Sequence, residues 1–228
     1  MYTAVLFLAT VFSVCTTPFA GAQQPLPDPV VHLTFDDPND LGNDSSGNGR
    51  HGVVGVTGVT WQRDAERQGV ADFTDTAFSA DTSIMVDLGG PLPGDAFTVA
   101  CWMTSRANTG SFFQLEPVED PPVAQTGTFE KVVWGGMSGS GFVWGRIVEN
   151  GDDFSGLDTN VYMTELNVWH HYAYRGRADA TSSTGFRFEV FVDGNQVGPQ
   201  TEYAGTLNTH GQLNVGCTHI GGGDDVRV

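Results

Sequence analysis

The thirteen residues Phe186-Arg-Phe-Glu-Val-Phe-Val-Asp-Gly-Asn-Gln-Val-Gly198 constrain the fold more than any other stretch. Phe186, Phe188, Val190 and Val192 recur at every second position, the period of a strand with one face buried and one face wetter. Asp193-Gly194 then supplies a tight turn, because glycine accepts the positive φ that a two-residue hairpin demands. Just upstream, Val168-Trp-His-His-Tyr-Ala-Tyr174 reads as a second strand, aromatic and free of breakers. No long segment carries an apolar period of 3.6 residues, so helices are minor.

Shorter β-prone pieces recur along the chain. They fall at Val30–Phe35, Gly52–Val56, Val59–Trp61, Val70–Phe73, Ile84–Leu88, Phe97–Met103, Val132–Trp134, Phe142–Val148 and Leu213–Gly216. Many short strands with glycine turns argue for an all-β fold, a two-sheet antiparallel sandwich. In Phe97–Met103 both alternating sets are largely apolar, which predicts a strand covered on both sides and places Trp102, with Trp169, in the core. Trp134 and Trp144 flank the glycine-rich run Gly135–Gly141, where a flexible hairpin would expose them as stacking platforms for sugar rings. The segments Glu116–Gln125 and Glu149–Asp158 read as acidic loops.

Residues 1–22 form an uncharged stretch with an apolar run and end in Ala20-Gly21-Ala22, the pattern of a secretory signal peptide, and the run is too short to span a bilayer. A proline-rich linker occupies residues 23–29, and one domain occupies residues 30–228. Secretion leaves two cysteines, Cys101 and Cys217, which either bridge or stand as two buried thiols. The net charge of −17, with Lys131 the single lysine, argues against nucleic acid and anionic membrane surfaces as partners.

Several motifs, taken in order, resemble the laminin-G-like, concanavalin A-like jelly rolls. Asp44-Ser-Ser-Gly-Asn-Gly-Arg-His-Gly52 is similar to the family's opening loop, Gly69-Val-Ala-Asp-Phe73 to its "G-x-A-x-F" strand, and Phe97-Thr-Val-Ala-Cys-Trp102 to its "F-T-x-x-x-W" strand. Trp169-His-His-Tyr-Ala173, Val192-Asp-Gly194 and the closing Asp224-Asp-Val-Arg-Val228 complete the set. The resemblance implies a jelly roll that binds sugars or extracellular proteins. It implies a structural, hydrogen-bonding His171, and first and closing strands that lie side by side. It also leads us to expect a domain clipped at its C-terminus.

Placing those two strands together would gather the oxygens of Asp36, Asp44 and Asp225, with the Gly49 and His51 carbonyls, as ligands for a structural calcium ion. Catalysis is not expected. Glycosidases of this fold carry E-x-D-x-x-E, and no glutamate here is followed at the second position by aspartate. The nearest substitute, Glu189 with Asp193, spans about 13 Å of extended strand, too far for a carboxylate pair. Gly136-Met-Ser-Gly-Ser140 lacks the last glycine of a nucleophile elbow. The expected role is a secreted, non-catalytic binding module for polysaccharide. An extracellular adhesion domain is the first alternative and a glycoside hydrolase the second.

Overall fold

The computed structural model describes residues 28–56, 58–73, 83–90, 96–105, 110–116, 132–137, 142–149, 153–162, 165–178, 185–204, 211–216 and 226–227. The described residues form strands β1 (Val53–Val54), β2 (Val59–Asp64), β3 (Gln68–Phe73), β4 (Ser83–Asp87), β5 (Phe97–Ser105), β6 (Gly110–Glu116) and β7 (Val132–Met137). They continue as β8 (Phe142–Glu149), β9 (Asp153–Tyr162), β10 (His170–Ala178), β11 (Gly185–Val192), β12 (Asn195–Ala204), β13 (Gln212–Gly216) and β14 (Val226–Arg227). One sheet runs β1-β4-β13-β6-β7-β8-β9 and the second β12-β11-β10-β5-β14-β3-β2. The expected two-sheet antiparallel sandwich is therefore present.

The β11–β12 hairpin is built as its alternation requires. Asp193 and Gly194 take φ of 49° and 77°, the doubly left-handed turn whose twist matches that of the flanking strands. Asp193 also ties the turn to β10, since its amide donates to the His171 carbonyl and its Oδ1 accepts the His171 amide. Inward from this hairpin, Phe188 and Val190 join Tyr172 and Tyr174 of β10 in the core. Across the gap stand Phe112 and Phe113 of β6, with ring centroids 5.1 Å from Tyr172 and 5.0 Å from Tyr174 respectively.

Strict alternation would send one of two consecutive phenylalanines outward. The β6–β7 register shifts between Ser111 and Phe113, so a bulge at Phe112 lets both rings be buried. Gly135, expected in a flexible hairpin, instead lies inside β7. A Cβ there would fall 2.4 Å from the Phe113 ring and 2.7 Å from Tyr174, so glycine is what admits the two rings.

Tertiary pairing overrode other local readings. Of Glu149–Asp158, expected as a loop, Glu149 ends β8 and Asp153–Asp158 belong to β9, a polar strand paired with β8. β6 and β12 are further strands that the alternation argument did not single out. Among the described residues Val30–Phe35 makes only an isolated bridge, Leu33 to Asp44. Phe35 breaks the extended run with a φ of 57°, and its carbonyl accepts the Trp61 indole N–H at 2.9 Å. Gly69 lets that carbonyl approach, as a Cβ there would meet it at 2.2 Å. The closing strand β14 lies between β3 and β5, so over its described residues it does not lie beside Val30–Phe35 as expected.

Candidate functional site

Register decides what the second sheet shows to solvent. On β10, Tyr172, Tyr174 and Gly176 are buried, so His171, Ala173, Arg175 and Arg177 stand on the outer face. Their cross-strand partners place Trp102, Ala100 and Thr98 of β5 on the same face, and Phe191, Glu189 and Arg187 of β11 beside them. Trp102 is 44% exposed, so the expectation of a buried Trp102 fails. β5 is covered on its inner side only, and Thr98 and Ala100 share the outer side with Trp102.

The indole is held in place. The Arg67 guanidinium, carried by the β2–β3 turn, lies 3.6 Å from its ring centroid, and the His171 ring meets it edge-on at 5.3 Å. The Arg67 guanidinium is also 5.9 Å from the Trp169 ring, itself half-buried. Beyond Trp102 the floor of the face falls to the small side chains of Ala100 and Ala173, which are register partners. An aromatic head, a low floor and a polar far end therefore follow one another along β5 and β10.

That far end is built on Glu189. Its Oε2 accepts Arg175 Nε at 2.8 Å and Nη2 at 2.7 Å, and lies 3.4 Å from Arg177 Nε. Glu189 is 2% exposed, whereas the two arginine side chains are 44% and 40% exposed. Arg175 also lies 5.1 Å from the Phe191 ring. The arginines thus cover the carboxylate and remain open to solvent themselves. The alternation of Tyr172 and Tyr174 with Arg175 and Arg177 was legible in the sequence; their convergence on Glu189 was not, because it depends on the β10–β11 register.

The Asp36–His51 loop is organised differently. Asp36 is exposed and Asp44 is buried. Asp44 Oδ1 accepts the His32 and Ser46 amides at 3.0 and 2.9 Å, and Oδ2 accepts the Ser46 hydroxyl at 2.8 Å and the Arg50 amide at 2.9 Å. Burial pushes the Asp44 carboxyl up, but these hydrogen bonds, led by the His32 and Ser46 amides, outweigh it and hold it well below the usual range. The Asp44 amide donates to His51 Nδ1 at 3.2 Å. Gly47 and Gly49 turn the loop with φ of 88° and 69°. Asn48 Nδ2 reaches the Pro29 and Val30 carbonyls, each at 3.1 Å, and so fastens the N-terminal segment. Each Asp44 oxygen already has two protein donors, which makes the residue a knot for the loop. Among the described residues no cluster of His, Cys, Asp or Glu is arranged to hold a metal ion; Asp225 lies outside them.

The expected hydrogen-bonding ring was that of His171, whereas the structure uses the His170 ring. His170 Nδ1 is 2.7 Å from Asp193 Oδ2, so its ring is the structural one, while the His171 ring flanks Trp102. Burial pushes the Asp193 carboxyl up, but the bonds from His170 and the His171 amide prevail and hold it below its usual value. Each member of the Glu189–Asp193 pair thus has its own partners, arginines for Glu189 and the β10 histidines for Asp193. Cys101 faces inward with a free thiol, and burial pushes its pKa up to about 12; Cys217 lies outside the described residues. Trp134 and Trp144 occupy β7 and β8, but their side chains, like Ser138–Ser140 of the incomplete elbow, are outside what is described.

No protein-family model matches the chain, and no curated protein matches it in sequence. Solved structures do match it. The botulinum neurotoxin type G receptor-binding domain aligns over 81% of this chain and 42% of its own, at 11% identity and a TM-score of 0.51. Domains LG4-5 of the mouse laminin alpha1 chain align over 68% and 42% at 12% identity and a TM-score of 0.48. The metal-free carbohydrate recognition domain of Emp46p aligns over 86% and 94% at 11% identity and a TM-score of 0.45. The chain spans 42% of the length of each of the first two. Polysaccharide lyases are also among the matches. The likeness to the neurotoxin domain bears on the fold alone, which is the antiparallel two-sheet sandwich that the sequence led us to expect.

Proposed function

We propose that this chain is a secreted, non-catalytic binding module that takes carbohydrate on the outer face of its second sheet. The observation that carries this reading is Trp102, an indole left 44% exposed at the head of a floor made by Ala100 and Ala173. A pyranose offers an apolar ring face edged by hydroxyls, and a site for it needs an aromatic surface with polar groups alongside. His171 and Arg67 supply that edge at one end, and Arg175, Arg177 and Glu189 at the other. The non-catalytic part is supported by Glu189, which two arginines hold, and by Asp193, which the β10 histidines hold.

A glycan array probed with wild type and Trp102→Ala tests the reading. Retention on at least one polysaccharide class is expected, with a loss of tenfold or more in the variant. Equal retention by the two proteins would move the site elsewhere, and Trp134→Ala and Trp144→Ala on the same array would then test the β7–β8 hairpin. Retention on no glycan, with retention on an extracellular matrix protein, would favour the adhesion reading. Turnover of a bound polysaccharide that vanishes in Glu189→Gln would overturn the non-catalytic one. Running the array with and without chelator tests the calcium ion, whose shell would have to come from Asp36, Asp225 and the Gly49 and His51 carbonyls, since Asp44 is occupied.

A further inference from the structure

The outer face of the second sheet carries a charge balance unlike that of the chain as a whole. The sequence holds 27 acidic residues to 10 basic ones. On this face the ratio turns over. The β10–β11 and β11–β12 registers put Arg175, Arg177 and Arg187 on it against Glu189 and Glu202, and Arg67 adds a further cation beside Trp102. Glu189 is buried beneath Arg175 and Arg177 and can neutralise only one of them. Among the described residues neither arginine has another acidic partner. The three groups together therefore present a net positive charge to solvent.

The two arginines hold Glu189 unequally. Arg175 turns its Nε and Nη2 to Oε2, at 2.8 and 2.7 Å, whereas Arg177 reaches it only through Nε, at 3.4 Å. Among the described residues the Nη groups of Arg177, on a side chain 40% exposed, are left as donors for a second acid. A guanidinium presents its N–H groups in a planar fork that meets carboxylate or sulfate oxygens two at a time. Distance along the strand fixes what such an acid belongs to. From His171, beside Trp102, to Arg175 and Arg177 is four and six residues of β10, roughly 13 and 20 Å. That exceeds one sugar ring, so a ring stacked on Trp102 and an acid at the arginines belong to different residues of one glycan.

The net charge limits how acidic that glycan can be. A polyanion with an acid on every ring would run past the arginines onto a molecule of net charge −17 and be repelled. A single acid in contact feels chiefly the guanidinium groups, because charges farther away than about 8 Å are largely screened at physiological ionic strength. We propose that this face takes a sparsely acidic glycan: a neutral sugar stacks on Trp102, and a carboxylate or sulfate on a sugar farther along sits on Arg177, with Arg175 beside it. The proposal rests on the carbohydrate reading of the same face and names the class of glycan. Glu189 is then a positioning residue, which holds Arg175 beneath the acid and does not touch the ligand.

The test uses the full chain on an array of glycans that carry one acid among several neutral sugars, each printed beside its carboxyl-reduced or desulfated counterpart. Polyuronates with an acid on every ring form a third arm. Retention on a sparsely acidic glycan is expected to exceed that on its neutralised counterpart about tenfold or more, the worth of one charge-assisted contact. Whichever neutralisation abolishes the excess identifies the acid as carboxylate or sulfate. Arg177→Gln should cut the excess to about twofold or less, and Arg177→Lys, which keeps the charge but not the fork, should restore part of it. Trp102→Ala should lower retention on both members of each pair. Equal retention on acidic and neutralised glycans, an excess that survives in Arg177→Gln, or stronger retention on polyuronates would overturn the proposal and leave the carbohydrate reading standing. Retention indifferent to Trp102→Ala throughout would instead overturn the reading on which the proposal rests.

Discussion

Two buried carboxylates, Asp44 and Glu189, sit in surroundings that differ in one respect, the kind of donor that meets them. Asp44 is met by three backbone amides and a hydroxyl one turn away. Backbone donors are fixed in place by the loop they belong to, so the carboxylate and the loop define one another and nothing is left over for a ligand. Glu189 is met by the guanidinium groups of Arg175 and Arg177, which rise from the sheet and stay about two-fifths exposed. A guanidinium has more N–H donors than one carboxylate oxygen can use. The Glu189 cluster therefore keeps hydrogen-bonding capacity facing solvent. The chain's formal charge of −17 does not distinguish the two sites; the identity of the donors does.

The comparison breaks most readily at Asp44. Asp44→Ala removes the acceptor for four hydrogen bonds and leaves amides stranded, and we expect a loss of roughly 3–5 kcal/mol by urea melts. The loss should be the same with and without millimolar calcium. A calcium-dependent melting temperature in the wild type that disappears in this variant would show that the loop is a cation site after all.

Glu189→Gln is expected to lose less, roughly 1–3 kcal/mol, because the arginines it leaves behind are exposed enough for water to take over. A loss as large as that of Asp44→Ala would mean that the arginines are structural too, and the contrast would collapse.

Acid sharpens the comparison further. The Asp44 carboxyl is held below its ordinary value, so its contribution is fully present above the unfolded-state pKa of about 3.9 and is lost as pH falls through the lower folded value. The stability gap between wild type and Asp44→Asn should be constant from neutral pH down to about pH 5 and then narrow as the medium is acidified. A gap that widens in acid would reverse the sign and reject the hydrogen-bonded carboxylate as its source.

The smallest effect on stability is expected at Arg67→Ala, about 0.5–1 kcal/mol, the lower range for a cation over an aromatic ring. Its effect on glycan retention should be larger in proportion, since the Trp102 indole would lose the group that orients it. Equal and negligible effects on both would reduce Arg67 to a bystander.

The sandwich was legible in the residues because its signals are local. Alternation in Phe186–Val192 and the Asp193-Gly194 turn are properties of neighbouring residues, and no distant contact was needed to express them. The motif order pointed to the jelly roll for the same reason. The opening loop was legible as a polar, glycine-rich turn, but Asp44, expected among the calcium ligands, accepts amides that include the distant His32.

What the residues could not show was which side of a strand faces out when both sides look apolar. Trp102 reads as core beside Val99 and Cys101 until β10 and the opposing sheet assign the inner face. Likewise Arg175, Arg177 and Glu189 are 12 and 14 positions apart in sequence and become a site only through the β10–β11 register. The polar β9 needed β8 beside it to be a strand at all. Local chemistry therefore determined the elements and their turns, whereas solvent exposure and cross-strand pairing depend on neighbours far along the chain, and only the folded sandwich supplies them.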